Sequence, residues 1–116
     1  MPMIRVQVSI EVPKEKQQEL LTKLSKSVAA ALSKPESYMM VLFEPQISML
    51  MGGKADPAAF VEVRSVGSIS GDQARQLSSS ISQTLDETLK IPESRVYTNF
   101  AGVPGAMWGF SGGTFG

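Results

Sequence analysis

Leu32-Ser33-Lys34-Pro35-Glu36-Ser37-Tyr38 returns 57 positions later as Leu89-Lys90-Ile91-Pro92-Glu93-Ser94-Arg95. Sliding the chain by that offset pairs Met3–Gly53 with Phe60–Phe110 without a gap. Identities fall at Val6/Val63, Leu20/Leu77, Ser25/Ser82, Leu32/Leu89, the Pro-Glu-Ser triplet, Phe43/Phe100 and Gly52/Gly109, nine in all. Ordinary composition gives about three by chance. Conservative pairs such as Ile4/Val61, Leu24/Ile81 and Val28/Leu85 run the same way. Residues 1–116 read as a single domain built from one unit written twice.

Each unit reads strand, helix, strand. Ile4, Val6, Val8 and Ile10 alternate with Arg5, Gln7 and Ser9, the period of a half-buried strand. Pro13 suits the first turn of a helix, where its missing N–H costs nothing. Leu20, Leu24, Val28 and Leu32 recur every four residues and share one helical face, and Pro35 ends that helix. In the second unit Phe60, Val61, Val63 and Val66 form the strand. Ser70 with Gln73 predicts a capping box, and Leu77, Ile81, Leu85 and Leu89 the stripe, ended by Pro92. Strands Tyr38–Glu44 and Val96–Phe100 follow, and Gly102–Gly105 reads as a surface turn. Two βαβ units predict an α+β fold, a four-stranded mixed sheet with both helices on one face. The other face is expected to need a cover, because two helices cannot pack all of Met39, Val41 and Phe43. Subunit association would supply it.

Composition removes many chemistries. With no cysteine there are no disulfides, thiolates or Cys-ligated zinc, and with no histidine the serine triad and the usual neutral base are gone. Eleven basic and eleven acidic residues cancel, so no grip on nucleic acid or an anionic membrane is expected. The acidic residues show no metal-ligand clustering. Neither a signal peptide nor a run long enough to span a bilayer is visible, so the cytoplasm is the expected location. Proton chemistry is left to carboxylates, Lys, Tyr or the chain terminus.

Where the repeat breaks its symmetry, function has room. Pro2 pairs with Ala59, Lys34 with Ile91 and Asn99 with Leu42. Removal of Met1 would leave Pro2 as a secondary amine. A terminal amine titrates near pH 7.7–8.0 or roughly so, and burial or a nearby cation would lower that value towards the range a general base needs. Pro2 could equally just open a strand, and Lys34 could merely complement a helix dipole.

Several fragments, in order, carry a resemblance: Met1-Pro2-Met3-Ile4, Ser33-Lys34-Pro35 with Tyr38, Ser65-Val66-Gly67, Arg95-Val96-Tyr97-Thr98-Asn99, Trp108, and Thr114-Phe115. Together they resemble the macrophage migration inhibitory factor family of tautomerases over essentially the whole chain. The resemblance implies a homotrimer of two-βαβ subunits with active sites between subunits, taking small arylpyruvate-like substrates such as phenylpyruvate and no cofactor or metal. It implies Pro2 as acid/base and Lys34 as the ligand of the substrate carboxylate or keto oxygen. Val66 would offer a backbone N–H. Tyr97 and Asn99 would reach in from the neighbouring subunit, and Tyr38, Met107, Trp108 and Phe115 would form the aromatic slot. Two departures stand out. Ala58 and Val61 occupy the places of the Cys-x-x-Cys pair of the cytokine members, which rules out thiol oxidoreductase activity. The stretch from Trp108 to Phe115 is longer and richer in glycine than the family's ending. A non-catalytic trimeric ligand-binding module and a cytokine-like signalling protein remain the alternatives on the same scaffold.

Overall fold

The computed structural model describes residues 1–116. Strand β1 (Pro2–Val8) leads through helix α1 (Lys14–Ala31) to β2 (Met40–Glu44). Strand β3 (Ala59–Val66) leads through α2 (Gly71–Leu89) to β4 (Val96–Val103). The sheet order is β2-β1-β3-β4, with β1/β2 and β3/β4 parallel and β1/β3 antiparallel. At the centre Ile4 lies opposite Val63 and Val6 opposite Val61. The 57-residue offset exchanges those two pairs, so the repeat is a pseudo-dyad passing between β1 and β3.

The two periodicities meet in the core. Ile4, Val6 and Val8 from β1 and Val61 and Val63 from β3 face the helices, and the stripes Leu20-Leu24-Val28 and Leu77-Ile81-Leu85 face the sheet. Each of these side chains is at most 1% exposed. Burying one such side chain stabilises by about 1.5–3 kcal/mol, which ties the helices to the sheet far more strongly than helix propensity could. The Ser70 hydroxyl accepts from the Gln73 N–H at 3.1 Å, and the Gln73 side chain accepts from the Ser70 N–H at 2.9 Å. That is the capping box read from sequence.

Three expectations need correction. Met39, Val41 and Phe43 do pack against the helix-side core. The face left open carries their neighbours instead: Met3, Met40, Leu42 and Phe60, with Arg5 between Glu44 (3.1 Å) and Glu62 (3.8 Å). The strand period was right, and the side assigned to it was inverted by one residue. Tyr38 belongs to a 3-10 turn, Glu36–Tyr38, before β2 begins. Gly102 lies inside β4 rather than in a turn. A Cβ there would sit 2.3 Å from the Gly67 carbonyl oxygen, so glycine permits the close approach of β4 to the end of β3.

Both helices stop the same way. Ser33 (φ 55°) and its repeat mate Lys90 (φ 60°) adopt the left-handed conformation. In the first half the N–H groups of Ser33 and Lys34 turn back to the carbonyls of Ala30 and Ala29, at 3.1 and 2.9 Å. This reversal, rather than Pro35, ends α1 and delivers residue 34 to the end of the sheet. No helix is long and apolar enough to cross a membrane.

Candidate functional site

At the head of β1 lies a cleft of about 340 Å³. Pro2 and Met3 form its floor, Tyr38 and Met40 one side, Trp108 and Phe110 the other. Pro2 is buried, as the first residue of a central strand, where its lack of an N–H is tolerated. Met1 also lines the cleft. Its carbonyl oxygen accepts the Val66 N–H at 3.0 Å. Loss of Met1 would leave that N–H without its partner.

Lys34 owes its place to the left-handed turn at Ser33. The equivalent position in the other half sinks Ile91 fully into the core. In the first half the residue is half-buried, and its ammonium is felt at the chain terminus. The Met1 amine is held below its ordinary value, first by burial and then by the Lys34 charge.

The aromatic wall differs in composition from the one read in the sequence. After β4 the chain makes a 3-10 turn, Gly105–Met107, and a two-residue hairpin, β5 (Gly109–Phe110) and β6 (Gly113–Thr114). Positive φ at Ser111 (51°) and Gly112 (81°) gives the turn the twist that short hairpins need. The hairpin accounts for the longer, glycine-rich ending and carries Phe110 over the cleft. Phe110 meets Tyr38 edge-on at 6.3 Å and stacks on Phe115 at 5.6 Å. Phe115 thus backs the wall, pinned by its N–H to the Gly105 carbonyl at 3.0 Å. Met107 is 76% exposed and does not line the cleft.

Sequence reasoning missed Phe110. The available signal was Ser111-Gly112-Gly113, a turn that sends the residue before it onto the same side as Trp108's loop. Of the residues singled out from sequence, the structure brings Pro2, Tyr38 and Trp108 together in the cleft lining. Lys34 and Val66 do not line it and are tied to it through Met1, by the Lys34 charge on the Met1 amine and the Val66 N–H to the Met1 carbonyl. Tyr97 and Asn99 lie on the outer strand β4 and point to the open face, away from their own chain's cleft. Tyr97 borders a different hollow, with Met49–Gly52 and Phe60.

Comparison with known proteins follows the same lines. The sequence model of the macrophage migration inhibitory factor (MIF) family matches residues 1–116. The chain is 35% identical over 108 residues to a macrophage migration inhibitory factor homolog of Trichuris trichiura, covering 92% of this chain and 95% of that protein. The crystal structure of a macrophage migration inhibitory factor homologue from Prochlorococcus marinus superposes with a TM-score of 0.93 at 33% identity, over 98% of this chain and 99% of that one. A third structure, of the protein Pt0534 inactivated by 2-oxo-3-pentynoate, gives a TM-score of 0.85 at 25% identity, over 96% and 93% of the two chains. The doubled βαβ unit, the cleft at the head of β1 and the whole-chain match agree: this chain belongs to the macrophage migration inhibitory factor family.

Proposed function

We propose that this chain, once Met1 is removed, is a keto–enol tautomerase for arylpyruvate-like substrates, with the Pro2 amine as general acid and base. The observation that carries the reading is the placement of buried Pro2 in a cleft lined by Tyr38, Trp108 and Phe110. The terminal amine of Met1 in the same cleft is held below its ordinary value by burial and by the Lys34 charge. The Pro2 nitrogen lies one residue deeper than the Met1 amine, so burial and the Lys34 charge act on it in the same sense. A neutral secondary amine near physiological pH can take the enol proton and return it to carbon. Lys34 pairs with the substrate carboxylate, and the Val66 N–H, freed of the Met1 carbonyl, donates to a substrate oxygen. Tyr38, Trp108 and Phe110 hold the aryl ring. The Pt0534 structure adds a consistent hint, since the compound in its description is an α-keto acid.

The site is completed in a homotrimer. Two features support this: Tyr97 and Asn99 face away from their own cleft, and the sheet face without helices exposes Met40 (61%) and leaves Met3, Leu42 and Phe60 only partly buried. A second reading on the same scaffold is a non-catalytic ligand-binding or signalling trimer, the outcome expected of any form that retains Met1. There the Pro2 nitrogen is a tertiary amide and the Val66 N–H is occupied.

The deciding experiment follows the enol-to-keto conversion of phenylpyruvate from about pH 5 to about pH 8, bracketing an amine lowered from its usual range. Met1-free protein, its Pro2→Gly variant and a form retaining Met1 are compared. The expected result is activity that rises with pH through a midpoint below that of a free terminal amine and is lost when Met1 is kept. A folded, Met1-free protein without turnover would move the assignment to the binding module.

A further inference from the structure

The duplication reaches the clefts themselves. The second hollow measures about 270 Å³. Shifted by 57 positions, Met1, Pro2, Met3 and Met40 of the first cleft become Ala58, Ala59, Phe60 and Tyr97 of the second, and Trp108 and Gly109 become Met51 and Gly52. Each half gives the heads of its strands to one cleft and its trailing segment to the other. The second has no counterpart of the amine or of Lys34, whose place Ile91 takes in the core. At the position equivalent to Tyr38 the second half carries Arg95, which lies outside the hollow's lining but is bonded to the segment that walls it.

All three guanidinium nitrogens of Arg95 donate to backbone carbonyls. Nε donates to the Pro57 carbonyl at 2.9 Å and Nη1 to that of Met51 at 3.2 Å. Nη2 donates to the carbonyls of Lys54 and Asp56, both at 3.1 Å. Met51 and Lys54 already exchange N–H···O bonds of 3.1 Å across the Gly52-Gly53 turn, so the guanidinium occupies their remaining lone pairs. Met51 and Gly52 line the hollow with Tyr97, the second residue of β4, and Arg95 immediately precedes that strand. Tyr97 keeps 65% of its surface exposed and shares the lining of this hollow with the segment that Arg95 holds.

We infer that Arg95 is a positioning residue: by locking Met51–Pro57 to the head of β4, it fixes the Tyr97 ring for use in a neighbouring subunit's cleft. The strand heads of the first half thus line the reaction cleft, and those of the second form a platform for the site of another copy. This rests on the tautomerase trimer proposed above. Only a planar fork with several fixed donors reaches carbonyls on three sides, so lysine is no substitute despite its charge.

The test is a double-mutant cycle on the Met1-free protein, comparing Arg95→Lys, Tyr97→Ala and the double variant for kcat, KM and pH profile with phenylpyruvate. Arg95→Lys is expected to raise KM by roughly three- to tenfold with the pH midpoint unchanged, and to add nothing once Tyr97 is Ala. Gly53→Ala, which disturbs the same turn at φ 75° with Arg95 intact, should raise KM likewise. Equal losses from Arg95→Lys in both backgrounds, or a lowered melting temperature with unchanged KM, would overturn the inference. Should the unsubstituted protein show no turnover, the tautomerase reading fails by itself. The cycle is then read on phenylacetate binding through Trp108 emission, the single tryptophan and a cleft residue. Coupling between Arg95 and Tyr97 in binding supports the positioning role, and its absence refutes it.

Discussion

Lys34 and Ile91 sit at equivalent places, yet one is a charge at the cleft and the other is closed in the core. The difference is local: the same left-handed reversal can feed an apolar side chain inward or leave a long cationic one at the rim. Burial is the larger influence on the terminal amine and Lys34 the smaller. Replacing Lys34 by Gln removes only the second, so the amine's pKa should rise part of the way back. Because the neutral amine exists above its pKa, the acid limb of the pH–rate profile should move to higher pH, and KM for an anionic substrate should rise by about tenfold, the equivalent of one charge-assisted hydrogen bond. A profile that stays in place with KM alone altered would remove Lys34 from the electrostatics of the base. Pro2 and Lys34 were legible because the repeat exposed them as mismatches. Phe110 was not, since its partners Tyr38 and Phe115 lie on either side of a hairpin that local apolar periodicity does not register.

Among the elements, the helix starts and stops are where sequence and structure can be compared most sharply. The Ser70–Gln73 box was readable because it needs only four consecutive residues. The stops at Ser33 and Lys90 were attributed to the prolines downstream, because neither residue is the glycine that usually marks a left-handed cap. A residue with a Cβ in that conformation carries strain of about 1–2 kcal/mol. Ser33→Gly and Lys90→Gly should each therefore stabilise the fold by about 0.5–1 kcal/mol, after the extra freedom of glycine in the unfolded chain is discounted. Urea unfolding would show the two gains as similar and additive, since the sites are separate. A loss at Ser33 alone would mean that its side chain does more than cap.

For the whole molecule the governing feature is the pseudo-dyad. It gives the sheet one face covered by two helices and one face that no helix covers, where Arg5, Glu44, Glu62 and Arg64 stand among Met3, Met40, Leu42 and Phe60. Such partly exposed ion pairs contribute little by themselves. In the proposed trimer this face is an interface, so Leu42→Glu should dissociate the assembly and abolish turnover while the helices stay folded. Sedimentation and far-UV circular dichroism, measured together, check this. An intact assembly with Leu42→Glu would place the subunit contact elsewhere.

The sequence by itself determined the doubled strand-helix-strand unit, the helical stripes, the capping box and the absence of thiol and imidazole chemistry. Each of these is written in residue type and in periods of two, four and fifty-seven along the chain. Tertiary structure alone decided which side of β2 faces the helices, that Phe110 rather than Met107 walls the cleft, and that Tyr97 stands apart from Pro2. The physical reason is that a period fixes which residues share a face but not which face is buried. That choice depends on where the strands meet across the dyad, between residues far apart in the chain.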